Sequence, residues 1–221
     1  MIDDLISQRI QKLERLTSAG YNPYPATVSR THTIAKVLTS FTSFVKSKKK
    51  VSVVGRVFGL RNQGSLLFVD LKDETGGLQL VIKKDEVKDF DLLQSTLDIS
   101  DFLQAQGTLF TTKRGERSIS VTAAGIISKS LRPMPSERFG IENVETRLRK
   151  RYLDFLLNAD TKELFVKKAA FWAGMRSFLQ KEGFTEVETP ALISVPGGAD
   201  AEPFVTHHNA LDVDFYLRIS L

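Results

Sequence analysis

The chain has 221 residues, 42% hydrophobic and 26% charged, which suits one large or two modest globular domains. Its 31 Lys+Arg against 26 Asp+Glu leave a formal charge of +5, a balance that permits a nucleic-acid partner without demanding one. The absence of cysteine excludes disulfides and thiolate metal sites, and three histidines (His32, His207, His208) are too few for a His-rich metal centre.

The N-terminal MIDDLISQRIQKL carries early acidic residues and no apolar run of signal-peptide length. No stretch approaches the roughly 20 apolar residues of a membrane span. The expectation is a cytoplasmic protein with no membrane partner. Ile2, Leu5, Ile6, Ile10, Leu13 and Leu16 recur at helical spacing, and Gly20 with Asn22–Pro25 ends that helix. A second helical pattern runs through Ile34, Val37, Leu38, Phe41 and Val45. The basic run Lys46-Ser47-Lys48-Lys49-Lys50 reads first as a solvated face, with phosphate contact as the lesser option.

From Val51 the period changes to two. Val51, Val53 and Val57 share one strand face, as do Leu67, Val69 and Leu71, and then Leu78, Leu80 and Ile82. A short helix is expected over roughly 86–97, followed by strands over 102–112 and 117–123 joined at Lys113-Arg114-Gly115-Glu116. The order β-β-β-α-β-β suits a five-stranded Greek-key barrel of the OB type. A Pro- and Gly-containing linker covers Ser130 to Gly140. Beyond it the pattern predicts a helix over 144–157, basic at its start, and a long helix over 162–182 with Phe165, Ala169, Trp172 and Leu179 on one face. The stretch FTEVETPALI reads as a strand ended by Pro190, and FYLRISL as a further strand. The whole is α+β. It comprises helices over 1–50, a barrel over 51–129, a linker over 130–145 and a second domain from 146.

Phe68 falls on the strand face of Asp70 and Lys72, opposite the core-facing Val69 and Leu71. An aromatic ring on the wet side of a barrel offers a surface for base stacking, and Gln79 on the next strand can donate to and accept from a base edge. Arg56 and Arg61 would add positive charge. The pattern leaves a second reading open, in which Phe68 covers the N-terminal helix. His207 and His208 point apart on a strand, a poor arrangement for one metal. Glu186 and Glu188 share a face, which is also what a solvated strand edge looks like. No catalytic residue and no metal site is predicted within these residues.

Several stretches together resemble class II lysyl-tRNA synthetases. RIQKLERLTSAGYNPYP is similar to the family's leading helix and its exit, and VSVVGR with FVDLKDETGGLQLVI to the first strands of the anticodon-binding barrel. GTLFTTKRGERSISV is similar to its closing hairpin, and RLRKRYLDFLLN to the junction with the catalytic domain. GFTEVETPAL resembles motif 1, and PGGADAEPFVTHHNALDVDFYLRIS the lysine-type signature after it.

The resemblance implies that Phe68 and Gln79 stack on and read the central anticodon uridine, with Arg61 and Glu116 at neighbouring positions of that site. It implies that Gly197 and Gly198 border a lysine pocket, and that Phe184, Val187 and Pro190 belong to a motif 1 homodimer interface. Partners would be tRNA(Lys), L-lysine and ATP, with magnesium as the metal of the full-length enzyme. Where the family usually carries Arg before Pro-Phe, this chain has Glu202. The family's motifs 2 and 3 follow the position of Leu221, so these residues alone are expected to form no lysyl-adenylate and to bind neither ATP nor magnesium. Two alternatives remain at this stage. One is a stand-alone OB-fold RNA-binding protein; the other is an aspartyl- or asparaginyl-type relative, which the THHNALD segment disfavours.

Overall fold

A computed structural model describes residues 2–135, 140–198 and 200–220. The chain divides into two compact units, Met1–Gly140 and Ile141–Leu221. Part of the predicted linker, residues 136–139, lies outside the described residues.

In the first unit, helices α1 (Ile2–Ser18), α2 (Ile34–Thr39) and α3 (Phe41–Ser47) precede the strands β1 (Lys50–Gln63), β2 (Leu66–Asp73) and β3 (Gly76–Lys83). Helix α4 (Phe90–Thr96) separates these from β4 (Phe102–Thr111) and β5 (Arg117–Ser128). The strands close into a barrel in the order β1-β2-β3-β5-β4, and β4 returns to pair with β1. Every pairing is antiparallel except β3 with β5. Val51, Val53, Val57, Leu67, Val69, Leu71, Leu80, Ile82, Ile119 and Val121 all point inward and are essentially inaccessible to water. Alternation apolar-in, polar-out is what one buried face per strand requires. Phe90, Leu93 and Leu97 bring α4 and the residue after it onto the same core.

The predicted second helix is in fact two. Ser40, at φ −97° and ψ 12°, ends α2 and begins α3. That break lets Ile34 and Val37 from one helix and Phe41 from the other reach a common core. The predicted helix over 86–97 is shorter, because residues 84–89 form turns ahead of Phe90.

Two polar clusters fasten the helices to the barrel. Asp73 accepts from Thr75 N (2.7 Å), Thr75 Oγ1 (2.6 Å), Gly76 N (3.1 Å) and Ile34 N (2.8 Å). One carboxylate thus folds the β2–β3 turn and satisfies a donor at the start of α2. Lys129, at the end of β5, is wholly buried, and its ammonium donates to Thr96 O, Asp98 Oδ2 and Asp101 Oδ2 at 2.5–2.7 Å. Asp98 also accepts from Lys12 of α1 at 2.6 Å.

The second unit holds α5 (Val144–Arg149), α6 (Arg151–Leu157), α7 (Ala159–Lys181) and a three-stranded sheet in the order β6 (Leu192–Ile193), β8 (Val213–Leu217), β7 (Val205–His208). The single helix expected over 144–157 breaks at Lys150, where Arg147 and Arg151 converge on the buried Asp154 at 2.9 and 3.0 Å. The strand expected over FTEVETPALI is absent: residues 184–190 form no ladder, and only Leu192–Ile193 pairs, with β8. An extended segment is a strand only when a neighbour supplies its hydrogen bonds. Helix α7 buries none of its residues within the chain.

Two consequences are measurable. Burial pushes the Asp73 carboxyl up, but the bonds from Ile34, Thr75 and Gly76 outweigh it and hold the group below the usual carboxylate range. A depressed folded value means its contribution is complete above the unfolded pKa and is lost as pH falls through the folded one. Asp73→Ala should therefore cost about 1–3 kcal/mol in urea unfolding at neutral pH. The gap between variant and parent should narrow as the pH drops below about 4; a constant gap would show that the charge is not what matters. Lys129→Met should cost about 3–5 kcal/mol in the same assay, since it strands the buried Asp101 carboxylate. A loss under about 1 kcal/mol would mean water replaces the ammonium.

Candidate nucleic-acid interface

The outer face of the barrel bears a cleft that draws on four parts of the chain. A volume of about 510 Å³ is lined by Arg61 and Gln63 from the end of β1, Phe68 from β2, Gln79 from β3, and Thr112, Lys113, Arg114 and Glu116 from the β4–β5 hairpin.

Arg61 reaches this face because β1 carries a bulge. The register passes from Val57↔Leu71 to Gly59↔Asp70, so Phe58 is an extra residue. Strict alternation from Val57 would send Arg61 inward. After the bulge Leu60 packs on the core instead, and Arg61 stands outside, directly opposite Phe68. Gly59 leaves room here for the Asp70 carboxylate, which a Cβ would force aside. That carboxylate then accepts from the Arg61 guanidinium at 3.2 Å.

Phe68 is half-buried and pairs with Arg61 on one side and Val81 on the other. It is not among the residues of the hydrophobic core, and it lines the cleft. Gln79 stands two pairs further along, on the same face, opposite Asp70 on β2 and Ser118 on β5. Its Oε1 accepts from Ser118 Oγ at 3.0 Å. The hairpin carrying Glu116 is folded by bonds from Thr112 N to Glu116 O (2.9 Å) and from Glu116 N to Thr112 Oγ1 (3.0 Å). Its side chains Lys113, Arg114 and Glu116 are exposed. The cleft thus offers an aromatic face, two amides, a carboxylate and three cations, one of them already paired.

Of the residues the sequence singled out, Phe68, Gln79, Arg61 and Glu116 come together. Arg56 does not. It lies near the start of β4, its guanidinium 4.2 Å above the Phe102 ring and donating to Ser100 O at 3.0 Å. Burial there lowers its pKa, with Asp101 opposing. Gln63, Thr112, Lys113, Arg114 and Ser118 escaped the sequence reading. The basic hairpin tip was a usable signal for two of them. Ser118 had none, because a parallel pairing of β3 with β5 is not written in either strand alone.

In the second unit, Gly197 borders open space, with nothing within 4 Å of a would-be Cβ. Gly198, at φ +114°, brings its backbone against Ser220, whose Oγ would lie 2.5 Å from a Cβ. Phe184, Val187 and Pro190 are exposed, as is Glu202. Glu186 accepts from Arg176 Nε at 2.8 Å and does not pair with Glu188. His207 Nδ1 lies 2.8 Å from Asp214 Oδ1. Among the described residues no group of His, Asp and Glu is placed to hold a metal, and no helix is long and apolar enough to cross a membrane.

Comparison with known proteins agrees with both units. Residues 51–127 match the family model of the OB-fold nucleic acid binding domain, and residues 143–221 that of class II tRNA synthetases (D, K and N). The lysine–tRNA ligase of Roseiflexus castenholzii is 44% identical over all of this chain and 46% of its own length. That of Dehalococcoides mccartyi strain 195 is 40% identical over 98% of the chain and 45% of its own length. That of Moorella thermoacetica is 41% identical over 99% and 45%. The chain spans less than half the length of these relatives. With barrel, cleft and second unit all accounted for, the chain carries an OB-fold nucleic acid binding domain followed by a stretch matching class II tRNA synthetases, and over its whole length it is similar to lysine–tRNA ligases.

Proposed function

We propose that the barrel reads the anticodon of tRNA(Lys) for a lysine–tRNA ligase, and that its outer cleft takes the central base of the anticodon. The observation that carries this reading is the convergence of Phe68, Gln79, Arg61 and Glu116 on one cleft of about 510 Å³. The ring supplies a stacking platform, the amide and carboxylate supply edge contacts, and Lys113 and Arg114 supply charge for the flanking phosphates. Each of these groups hangs on a strand or a tight hairpin, so the site is largely formed before RNA arrives.

The ligase as a whole would activate L-lysine with ATP, assisted by magnesium, and pass the lysyl group to the terminal ribose of the tRNA. This rests on the family and on relatives named lysine–tRNA ligase. Binding energy gained at the anticodon would favour the cognate tRNA in that reaction. We place the reaction in the cytoplasm, where tRNA is charged and used. Gly197 and Gly198 would border the lysine pocket. Supporting that placement, a side chain on Gly198 would have to displace Ser220.

A homodimer built on motif 1 is supported by what the second unit leaves uncovered. Phe171, Phe178, Phe184 and Val187 are each more than 60% exposed, and α7 has apolar side chains around much of its circumference. A helix of that kind is normally buried against further protein.

Titration of the 221-residue chain with a lysine-type anticodon stem-loop tests the reading. Affinity should fall as salt rises, with a log–log slope of about −0.7 for each single-strand phosphate contact. Replacing the central U by C should weaken binding; equal affinity for both would sink the base-reading claim. Phe68→Ala should cost about 1–3 kcal/mol of binding with little change in thermal midpoint. A stability loss of about 3–5 kcal/mol would return the ring to a structural role.

A further inference from the structure

Gln79 is by nature ambivalent. Its amide presents a donor at one end and an acceptor at the other, and a half-turn exchanges them. Left free, it would serve a keto or an amino group on a base equally well. The structure shows it is not free. Ser118 Oγ has a single proton and two carbonyl oxygens within reach: Gln79 Oε1 at 3.0 Å and the Glu116 backbone oxygen at 3.4 Å. The nearer acceptor takes the proton. Ser118 has no exposed surface, so its hydroxyl cannot exchange that partner for bulk water. Its position is fixed by the parallel ladder, in which Gln79 and Ser118 are direct partners.

We infer that Ser118 is a positioning residue: by holding the Gln79 carbonyl back against β5, it leaves the Gln79 Nε2 to face the cleft as a donor. This rests on the cleft being the base-reading site. A donor in that place complements the O4 carbonyl of uracil. Against cytosine it meets the N4 amino group, donor to donor, with no lone pair to accept either proton. Glu116, an acceptor-only carboxylate on the same cleft, extends the match, since uracil N3 carries a proton and cytosine N3 does not. The selectivity for a keto pyrimidine thus comes from a buried hydroxyl that never touches the RNA. Flipping the amide to suit cytosine makes the Ser118 hydroxyl an acceptor from Nε2 and moves its proton from the 3.0 Å contact at Gln79 Oε1 to the longer 3.4 Å contact at Glu116 O. The part of the selectivity that depends on Ser118 should therefore be on the order of tenfold at most.

The test uses the 221-residue chain, two stem-loops differing only in a central U or C, and the ratio of the two dissociation constants as readout. In the parent chain the U stem-loop should bind more tightly. Ser118→Ala should bring the ratio toward unity by a factor on the order of ten, with the thermal midpoint showing the barrel intact. Gln79→Glu leaves the hydroxyl in place but puts an acceptor where the amide donated, and should shift the ratio toward C even if overall affinity drops. A parent chain that prefers U while Ser118→Ala keeps that preference in full overturns the role of Ser118 and leaves the anticodon reading standing. A parent chain with no preference removes the anticodon reading itself. Should Ser118→Ala fail to fold, Gln79→Glu decides: an unchanged preference for U means Nε2 is not what the base meets, and the inference falls.

Discussion

The barrel depends on one seam. Four of its five pairings are antiparallel, and three of these four, β1–β2, β2–β3 and β4–β5, join strands consecutive in sequence. The fifth, β3 with β5, is parallel and short, running from Gln79↔Ser118 to Ile82↔Val121. A parallel pair cannot be joined by a tight turn. Helix α4 and strand β4 fill the intervening chain, and α4 covers the core on the way. Without this seam the sheet would have two open edges and an exposed interior. With it, Leu80 and Ile119 meet in the core, while Gln79 and Ser118 meet at its rim. Closure of the fold and assembly of the cleft are therefore one event, and Gln79 lies at the point where they coincide.

How much of this the sequence disclosed varies with the range of the interaction responsible. The inward faces of β1, β2 and β3 were legible because burial imposes a period of two on each strand separately. The opposition of Phe68 to that face followed from the same rule. Arg61 shows where the rule fails. Counted in twos from Val57, it belongs inside, and only the extra residue at Phe58 sends it out. The resemblance to a family placed it at the site, while periodicity alone could not. Arg56 has the outward parity yet is drawn to Phe102 and Ser100, so parity located its face without locating its partners. The Lys129 cluster was invisible for a related reason. It joins α1, the segment after α4 and the end of β5, and no local pattern announces that a lysine will be buried.

In the second unit one segment was misread, for the opposite cause. FTEVETPALI has the alternation and β-branched content of a strand, but residues 184–190 find no neighbour to complete a ladder. The long helix before it has abundant apolar residues and buries none of them. Local propensity and tertiary partnership ordinarily agree in a finished fold. Their disagreement here is plainest in α7 and residues 184–190, the stretch whose sequence resembles motif 1. The same elements that look unfinished are thus those for which the dimer proposal supplies a partner.

The cleft divides its labour between rigid and adaptable parts. Phe68, Gln79 and Ser118 sit on paired strands, where backbone hydrogen bonds on both sides fix each Cα. Arg61 is tied to Asp70, which spends its charge within the barrel surface and leaves it as a shaped wall more than an attractor. Lys113 and Arg114 are exposed on a hairpin tip, free to follow a phosphate backbone. The physical roles follow from these placements. Long-range attraction, which any RNA would feel, belongs to the hairpin and is weakened by salt. In the proposed reading, discrimination between bases belongs to the strands, and depends on hydrogen-bond direction at short range, which salt hardly screens. A site built this way loses affinity and selectivity through different residues, because charge sits on the mobile element and geometry on the fixed one.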